Sequence, residues 1–165
     1  MTSPTAPEIS LSIPQTPAEL GSARALLREY ADSLGIDLCF QGFEAEVANL
    51  PGDYAPPAGA LLMATVNGES AGCCGLRPLD STDYPNACEM KRLYVRPAFR
   101  RLGLGRRLAE AIMEHATTSG YAHILLDTLD EMEAARSLYQ ELGFIEIAPY
   151  YHNPIAGAHY LKATL

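Results

Sequence analysis

Two extended runs, Ala60–Val66 and residues 69–76, are separated by Asn67-Gly68 and nothing else. A two-residue Asn-Gly linker takes left-handed dihedrals at both positions, and its twist suits two adjacent antiparallel strands. The middle of this chain is therefore read as a hairpin. A polar loop over 80–86 leads from it into a third run, Ala87–Val95. After Val95 strands and helices alternate, and a β-α-β passage requires a parallel pair somewhere. Both demands are met by a mixed sheet with helices on both faces.

The flanking segments fit that frame. Residues 9–13 alternate apolar and polar, as a first strand does. Thr16-Pro-Ala-Glu19 has the shape of a capping box with proline at the first helical position. Leu20, Ala23, Leu27, Tyr30 and Leu34 follow at helical spacing, and Gly35 closes the helix. A shorter helix is predicted over 43–50, with Phe43, Val47 and Leu50 on one side, and residues 53–59 form a loop. Beyond Pro97, Gly103-Leu-Gly105 opens a long amphipathic helix. Leu104, Leu108, Ala111, Ile112 and His115 form its apolar face, and Gly120 ends it. Residues 123–126 read as a buried strand. Asp130-Glu-Met-Glu133 reads as a capped helix start, with Ala135, Leu138 and Leu142 as the stripe. Strands over 144–148 and 158–161 finish the chain. The order is β α α β β β α β α β β: one domain over 9–165 behind a disordered tail, 1–8.

At 165 residues, 48% of them hydrophobic, the chain is long enough for one domain with a sizeable core. No apolar run approaches the roughly 20 residues of a membrane span. The stretch Met1–Pro7 lacks the basic start and apolar block of a secretory signal. The expectation is a soluble, cytoplasmic protein with no membrane partner. A net charge of −8 disfavours a nucleic-acid partner, because phosphate contacts need a basic surface. Cys39, Cys73, Cys74 and Cys88 lack CxxC spacing, so free, partly buried thiols are expected, with no metal. Cys73 and Cys74, adjacent on a strand, point to opposite faces.

The bases are unevenly placed. Lys91, Arg92, Arg96, Arg100, Arg101, Arg106 and Arg107 fall in seventeen residues without one acid, while the remaining five bases face all twenty acids. This island spans a strand end, a turn and a helix start bearing Gly103 and Gly105. Glycines there let a ligand approach the backbone, and the helix N-terminus adds about half a positive charge. The combination predicts a phosphate or pyrophosphate site. GxxxxGK[ST] is absent, and Gly103-Leu-Gly105-Arg-Arg-Leu lacks the third glycine of GxGxxG, which disfavours P-loop nucleotides and dinucleotides.

Arg100-Arg-Leu-Gly103-Leu-Gly105 resembles the [QR]xxGx[GA] signature of the GNAT superfamily of N-acetyltransferases. Glu89-Met-Lys-Arg-Leu-Tyr-Val95 is similar to that family's fourth strand, and Leu138-Tyr139-Gln-Glu-Leu-Gly143-Phe144 to its LYxxxGF junction. The likeness covers roughly 9–163 and is strongest over 87–145. It implies a mixed, mostly antiparallel splayed α/β sheet of about seven strands with four helices. It implies acetyl-CoA as co-substrate, held by the backbone amides of Arg101, Leu102, Gly103, Leu104, Gly105 and Arg106 with Arg100 in the signature's first position, and with Leu93, Tyr94 and Val95 bonding the pantetheine arm. Met132 departs from the pattern, since many relatives carry asparagine there.

Acetylating an amine requires removing a proton from nitrogen, polarising the thioester carbonyl and protonating the leaving thiolate. The resemblance implies Glu89 as the base, acting through water, Tyr139 as the acid and the Leu93 N–H as a carbonyl donor. Glu89 also shares a face with Lys91 two residues on, so an ion pair is an equal reading. Tyr54 and Arg77 are candidate acceptor contacts, Arg77 for a carboxylate. His115 is expected in packing and His123 at a strand start. His152 and His159 lie near Tyr150, Tyr151 and Tyr160, a stretch that lines the acceptor pocket or packs as aromatic core. The predicted acceptor is a small amine, an amino acid or a protein amine, attacking directly in a ternary complex. The rival reading is a non-catalytic module that senses acyl-CoA. A homodimer is compatible with either.

Overall fold

The computed structural model describes residues 6–35, 42–80, 82–129, 132–151, 153 and 155–165. Cys39, Asp130, Glu131, His152 and most of the expected tail lie outside them. The elements are β1 (Ile9–Ser12), α1 (Pro17–Leu34), α2 (Phe43–Ala48), β2 (Ala60–Val66), β3 (Glu69–Leu79), β4 (Ala87–Val95), α3 (Leu104–Thr118), β5 (His123–Leu129), α4 (Glu133–Glu141), β6 (Ile145–Ile147) and β7 (Ala158–Thr164). Short 3₁₀ turns at Gly52–Tyr54 and Pro97–Phe99 complete them. The seven strands run β1-β2-β3-β4-β5-β7-β6, and every pairing is antiparallel except β4 with β5.

Local chemistry accounts for most of the boundaries. Asn67 and Gly68 take φ of 51° and 84°, so the β2–β3 hairpin turns as its sequence requires. The Thr16 hydroxyl accepts from the Glu19 amide while the Glu19 carboxylate accepts from the Thr16 amide, and both ends of the capping box form. Strand β3 runs past its expected end at 76 through Pro78 to Leu79. Its pairing with β2 stops at Leu76, so Pro78 faces a partner only on the β4 side. Strand β5 extends to Leu129 because β7 pairs with its whole length. Helix α4 starts behind Met132, which caps it without a side-chain bond, rather than behind an acidic cap at 130.

Two cores sandwich the sheet. Leu104, Leu108, Ala109, Ile112 and Ala116 of α3 and Tyr139 of α4 pack on one face. Ala111 and His115, predicted on that stripe, are half-buried at its margin. Ala23, Leu26 and Leu27 of α1 and Phe43 and Val47 of α2 pack on the other. Cys74 belongs to the first core and Cys73 to the second, as their adjacency on a strand demands. Among the described residues no helix is long and apolar enough to cross a membrane.

Cys73, Cys74 and Cys88 are free and buried, and burial pushes the Cys73 and Cys88 thiols up to about 12. At pH 8 a thiol of that pKa is about 10⁻⁴ ionised, against roughly a quarter for a free cysteine. A Cys39→Ser variant should therefore react negligibly with a disulfide reagent while native and release three equivalents on unfolding. Rapid reaction of the native protein would contradict the burial.

Candidate functional site

The parallel ladder between β4 and β5 has three rungs, Ala87↔His123, Cys88↔Ile124 and Glu89↔Leu125. Both strands continue but no longer pair, and a cleft opens between them. Met90, Lys91, Arg92 and Leu93 line one wall, Leu126, Asp127, Thr128 and Leu129 the other. Met132 and Tyr139 of the α4 segment, Tyr30 and Leu34 of α1, and Asn153 and Ile155 close it. On this side the β4 segment expected to bond a ligand arm, Leu93 to Val95, has no strand partner among the described residues.

At the end of β4 the chain turns through Pro97–Phe99, Arg101 at φ 74° and Gly103 at φ 75°, and enters α3. The first α3 bond runs from the Arg107 amide to the Gly103 carbonyl. The amides of residues 101–106 donate to no group among the described residues. A Cβ at Gly103 would meet nothing within 4 Å, and one at Gly105 only Leu138 Cδ2 at 3.8 Å. The predicted cradle is thus open, with unsatisfied donors at a helix N-terminus.

The basic island is less free than its sequence suggests. Lys91 pairs with Asp127 and Glu89, Arg92 with Glu46, Arg96 with Glu29, and Arg106 with Glu110 and Glu141. Arg100, Arg101 and Arg107 have no ion pair among the described residues, and all three are exposed around the turn. The Arg100 Nε donates to the Val95 carbonyl at 3.1 Å.

On the α1/α2 face a charged cluster sits beside the cleft. Glu89 is 1% exposed. Its Oε1 accepts from Arg77 Nε at 2.8 Å and lies 2.7 Å from Nη2. Its Oε2 accepts from the Tyr150 hydroxyl at 2.6 Å, and Lys91 Nζ is 3.9 Å away. Asp127 accepts from the Tyr151 hydroxyl at 2.6 Å and from Lys91 Nζ at 3.5 Å. Burial first, then the neighbouring carboxylates, push both phenols well above the usual tyrosine range. Tyr150, Tyr151 and Tyr160 pack with centroids 5.4–5.5 Å apart.

The expected site residues divide between places. Tyr139 lines the cleft, packs edge-to-face on Phe144 at 5.6 Å, and burial holds its phenol well up. Glu89 stands next to the cleft without lining it. Arg77 and Tyr54 come together at a second depression between α2 and the Gly52–Tyr54 turn. Arg77 is engaged by Glu89, and Tyr54 is buried with its hydroxyl lacking a partner among the described residues. His159 pairs with Glu146, and His123 sits against Tyr84, so neither lines the cleft. Asp127 was missed. Its signal is an acid directly after the apolar run Ile124–Leu126, where the sequence pattern ends the strand.

The sequence profile of the acetyltransferase (GNAT) family matches residues 23–144. An uncharacterized N-acetyltransferase of Schizosaccharomyces pombe is 41% identical over 158 residues, covering 95% of each chain. An acetyltransferase from Streptococcus agalactiae is similar in structure, with a TM-score of 0.76 at 21% identity, covering 95% of this chain and 98% of that one. A protein from Salmonella typhimurium, solved with acetyl-CoA as its cofactor, has a TM-score of 0.66 at 18% identity over 94% and 93%.

Removing one partner of a buried ion pair strands the other. Arg77→Ala should destabilise the protein by about 2 kcal/mol, less than a fully isolated charge because Tyr150 and Lys91 still face Glu89. Adding Glu89→Gln should restore part of the loss in urea titrations. Additive losses would show that the two side chains are not coupled.

Proposed function

The chain belongs to the acetyltransferase (GNAT) family, and from that membership we propose that it moves an acetyl group from acetyl-CoA to an amine by direct attack in a ternary complex. The observation that carries this reading is the row of unused amides over residues 101–106 beneath open space at Gly103 and Gly105. A diphosphate is the group such a row fits: several oxygens, negative charge and a helix N-terminus to face. Arg100 and Arg101 add positive charge with no ion pair among the described residues, and the side of Leu93, Tyr94 and Val95 that lacks a strand partner, its Val95 carbonyl held by Arg100 Nε, can bond an amide-bearing arm as an added strand would.

When bound, acetyl-CoA supplies a thioester acyl group. The residues of the chain then have separable tasks. The amine nitrogen bonds to the acyl carbon as the carbon–sulfur bond breaks. The Leu93 amide is the donor for the carbonyl oxygen as charge develops there. Tyr139 protonates the leaving sulfur, and burial keeps its phenol in the proton-bearing form that the task needs. The amine proton goes to the carboxylates joined by Lys91. Asp127 faces the cleft, and Glu89 stands behind it as the second member of the pair. Acceptors of the reading are small amines, amino acids or protein amines.

The direct test is free-thiol release from acetyl-CoA with a panel of amino acids, polyamines and peptides. Turnover with at least one acceptor supports the reading. Tight acetyl-CoA binding without turnover across the panel would instead make the chain a sensing module. Gly105→Glu separates the cradle from the fold, because an acid in the first helical turn suits α3 while repelling a diphosphate. It should abolish acetyl-CoA binding with the melting curve unchanged, and retained affinity would remove the cradle. Tyr139→Phe should lower kcat roughly 10²-fold with little change in binding. A phenol held above 10 stays protonated, so wild-type activity should rise with pH without a downturn below about pH 10. A falling limb near neutral pH would exclude Tyr139 as the acid.

A further inference from the structure

Between Cys73↔Tyr94 and Gly75↔Lys91, strand β3 advances two residues while β4 advances three. The surplus is taken up around Arg92, which stands at φ 62°. A left-handed conformation costs a non-glycine residue on the order of 1–2 kcal/mol and persists only where the surroundings over-determine it. Here they do. The Arg92 guanidinium forks onto Glu46 of α2, Nε to Oε2 at 2.9 Å and Nη2 to Oε1 at 3.1 Å. It also lies over the Phe43 ring at 5.3 Å. The Cys73 thiol donates to the Arg92 carbonyl at 3.4 Å. The two paired side chains are 2% and 11% exposed. Helix α2 is itself tied to α1, where Arg24 Nε donates to the Val47 carbonyl at 3.0 Å.

We infer that Glu46 and Arg92 are positioning residues for the acyl-transfer site: their buried pair holds the β4 bulge left-handed and so sets where the Leu93 main chain stands in the cleft. The inference rests on the acetyl-transfer reading above. It gives α2 two tasks, because Glu46 also lines the depression that holds Tyr54 and Arg77. The helix that walls that depression thereby also fixes the strand segment that lines the cleft.

Glycine adopts φ near 62° without strain, and alanine does not. In a Glu46→Gln background, Arg92→Gly should keep the bulge without the pair, and Arg92→Ala should keep neither. The alanine double variant should lose about tenfold or more in kcat, because small displacements at a reacting centre are expensive in rate. Its acetyl-CoA dissociation constant should rise by a smaller factor than kcat falls, since residues 101–106 are untouched and only the arm contact at Leu93 moves. The glycine double variant should regain most of the lost kcat. Rates are compared well below both melting midpoints, so that lost stability does not masquerade as lost turnover. Equal rates in the two double variants overturn the inference. If the wild-type protein releases no thiol with any amine, the acetyl-transfer reading fails separately. The bulge is then decided by the Leu93 amide resonance in ¹⁵N spectra. Wild-type position in the glycine variant with displacement in the alanine variant upholds it, and identical positions overturn it.

Discussion

Three rungs of parallel pairing, Ala87 to Glu89 against His123 to Leu125, are the constraint from which the rest of the structure follows. A parallel pair cannot be joined by a tight turn, so a crossover helix must connect its strands. That helix, α3, has to begin where β4 ends, which brings its N-terminal amides to the mouth of whatever lies beside β4. Ending the pairing after three rungs then leaves the rest of β4 without a neighbour on one side. Main-chain polar groups there need partners from outside the sheet. The cleft and the row of unused amides beside it are thus two results of one topological choice: a short parallel contact followed by divergence.

The fold was legible wherever a local interaction decides it. Asn67-Gly68 fixed a hairpin, Thr16 to Glu19 a helix start, and the Cys73/Cys74 pair the two faces of β3. Ends set by long-range pairing were not legible. Strand β5 was cut at Leu126 because Asp127 interrupts an apolar run, yet seven residues of β7 hold it to Leu129. For the same reason the sequence pattern does not single out Asp127, which lines the cleft. An acid within a buried strand reads as a boundary until its partners, Lys91 and Tyr151, are brought in from 36 and 24 residues away. The Arg92–Glu46 pair, separated by 46 residues, is invisible for the same reason.

Charge shows the gap between sequence and space most clearly. The stretch from Lys91 to Arg107 holds seven bases and no acid, but the acids that answer it come from α1, α2, α3, α4, β4 and β5. Folding sorts the island by depth. The buried members, Lys91 and Arg92, are matched by carboxylates, as low-dielectric surroundings require. Of the exposed members Arg106 is paired, while Arg100, Arg101 and Arg107 have no ion pair among the described residues. An acidic chain can therefore present a basic turn at one place, and that place is the one where unused amides point outward.

The matched cluster bears on the chemistry in its own way. Arg77, Glu89, Lys91 and Asp127 are two cations and two anions, and Arg92 with Glu46 adds one of each. The set is formally neutral before an acceptor arrives. Tyr150 and Tyr151 supply neutral donors to the two carboxylates, so no further cation is needed to hold them. On the acetyl-transfer reading, an ammonium entering beside Asp127 would leave the cluster with one uncompensated positive charge in a poorly solvated space, with Lys91 3.5 Å from that carboxylate. An amine without its extra proton would leave it neutral. Desolvation and the nearby lysine therefore both favour the form of the acceptor that has a lone pair to attack with. On that reading the same six groups that hold β3, β4, β5 and α2 together would bias nitrogen toward reactivity, without any one carboxylate having to be an unusually strong base.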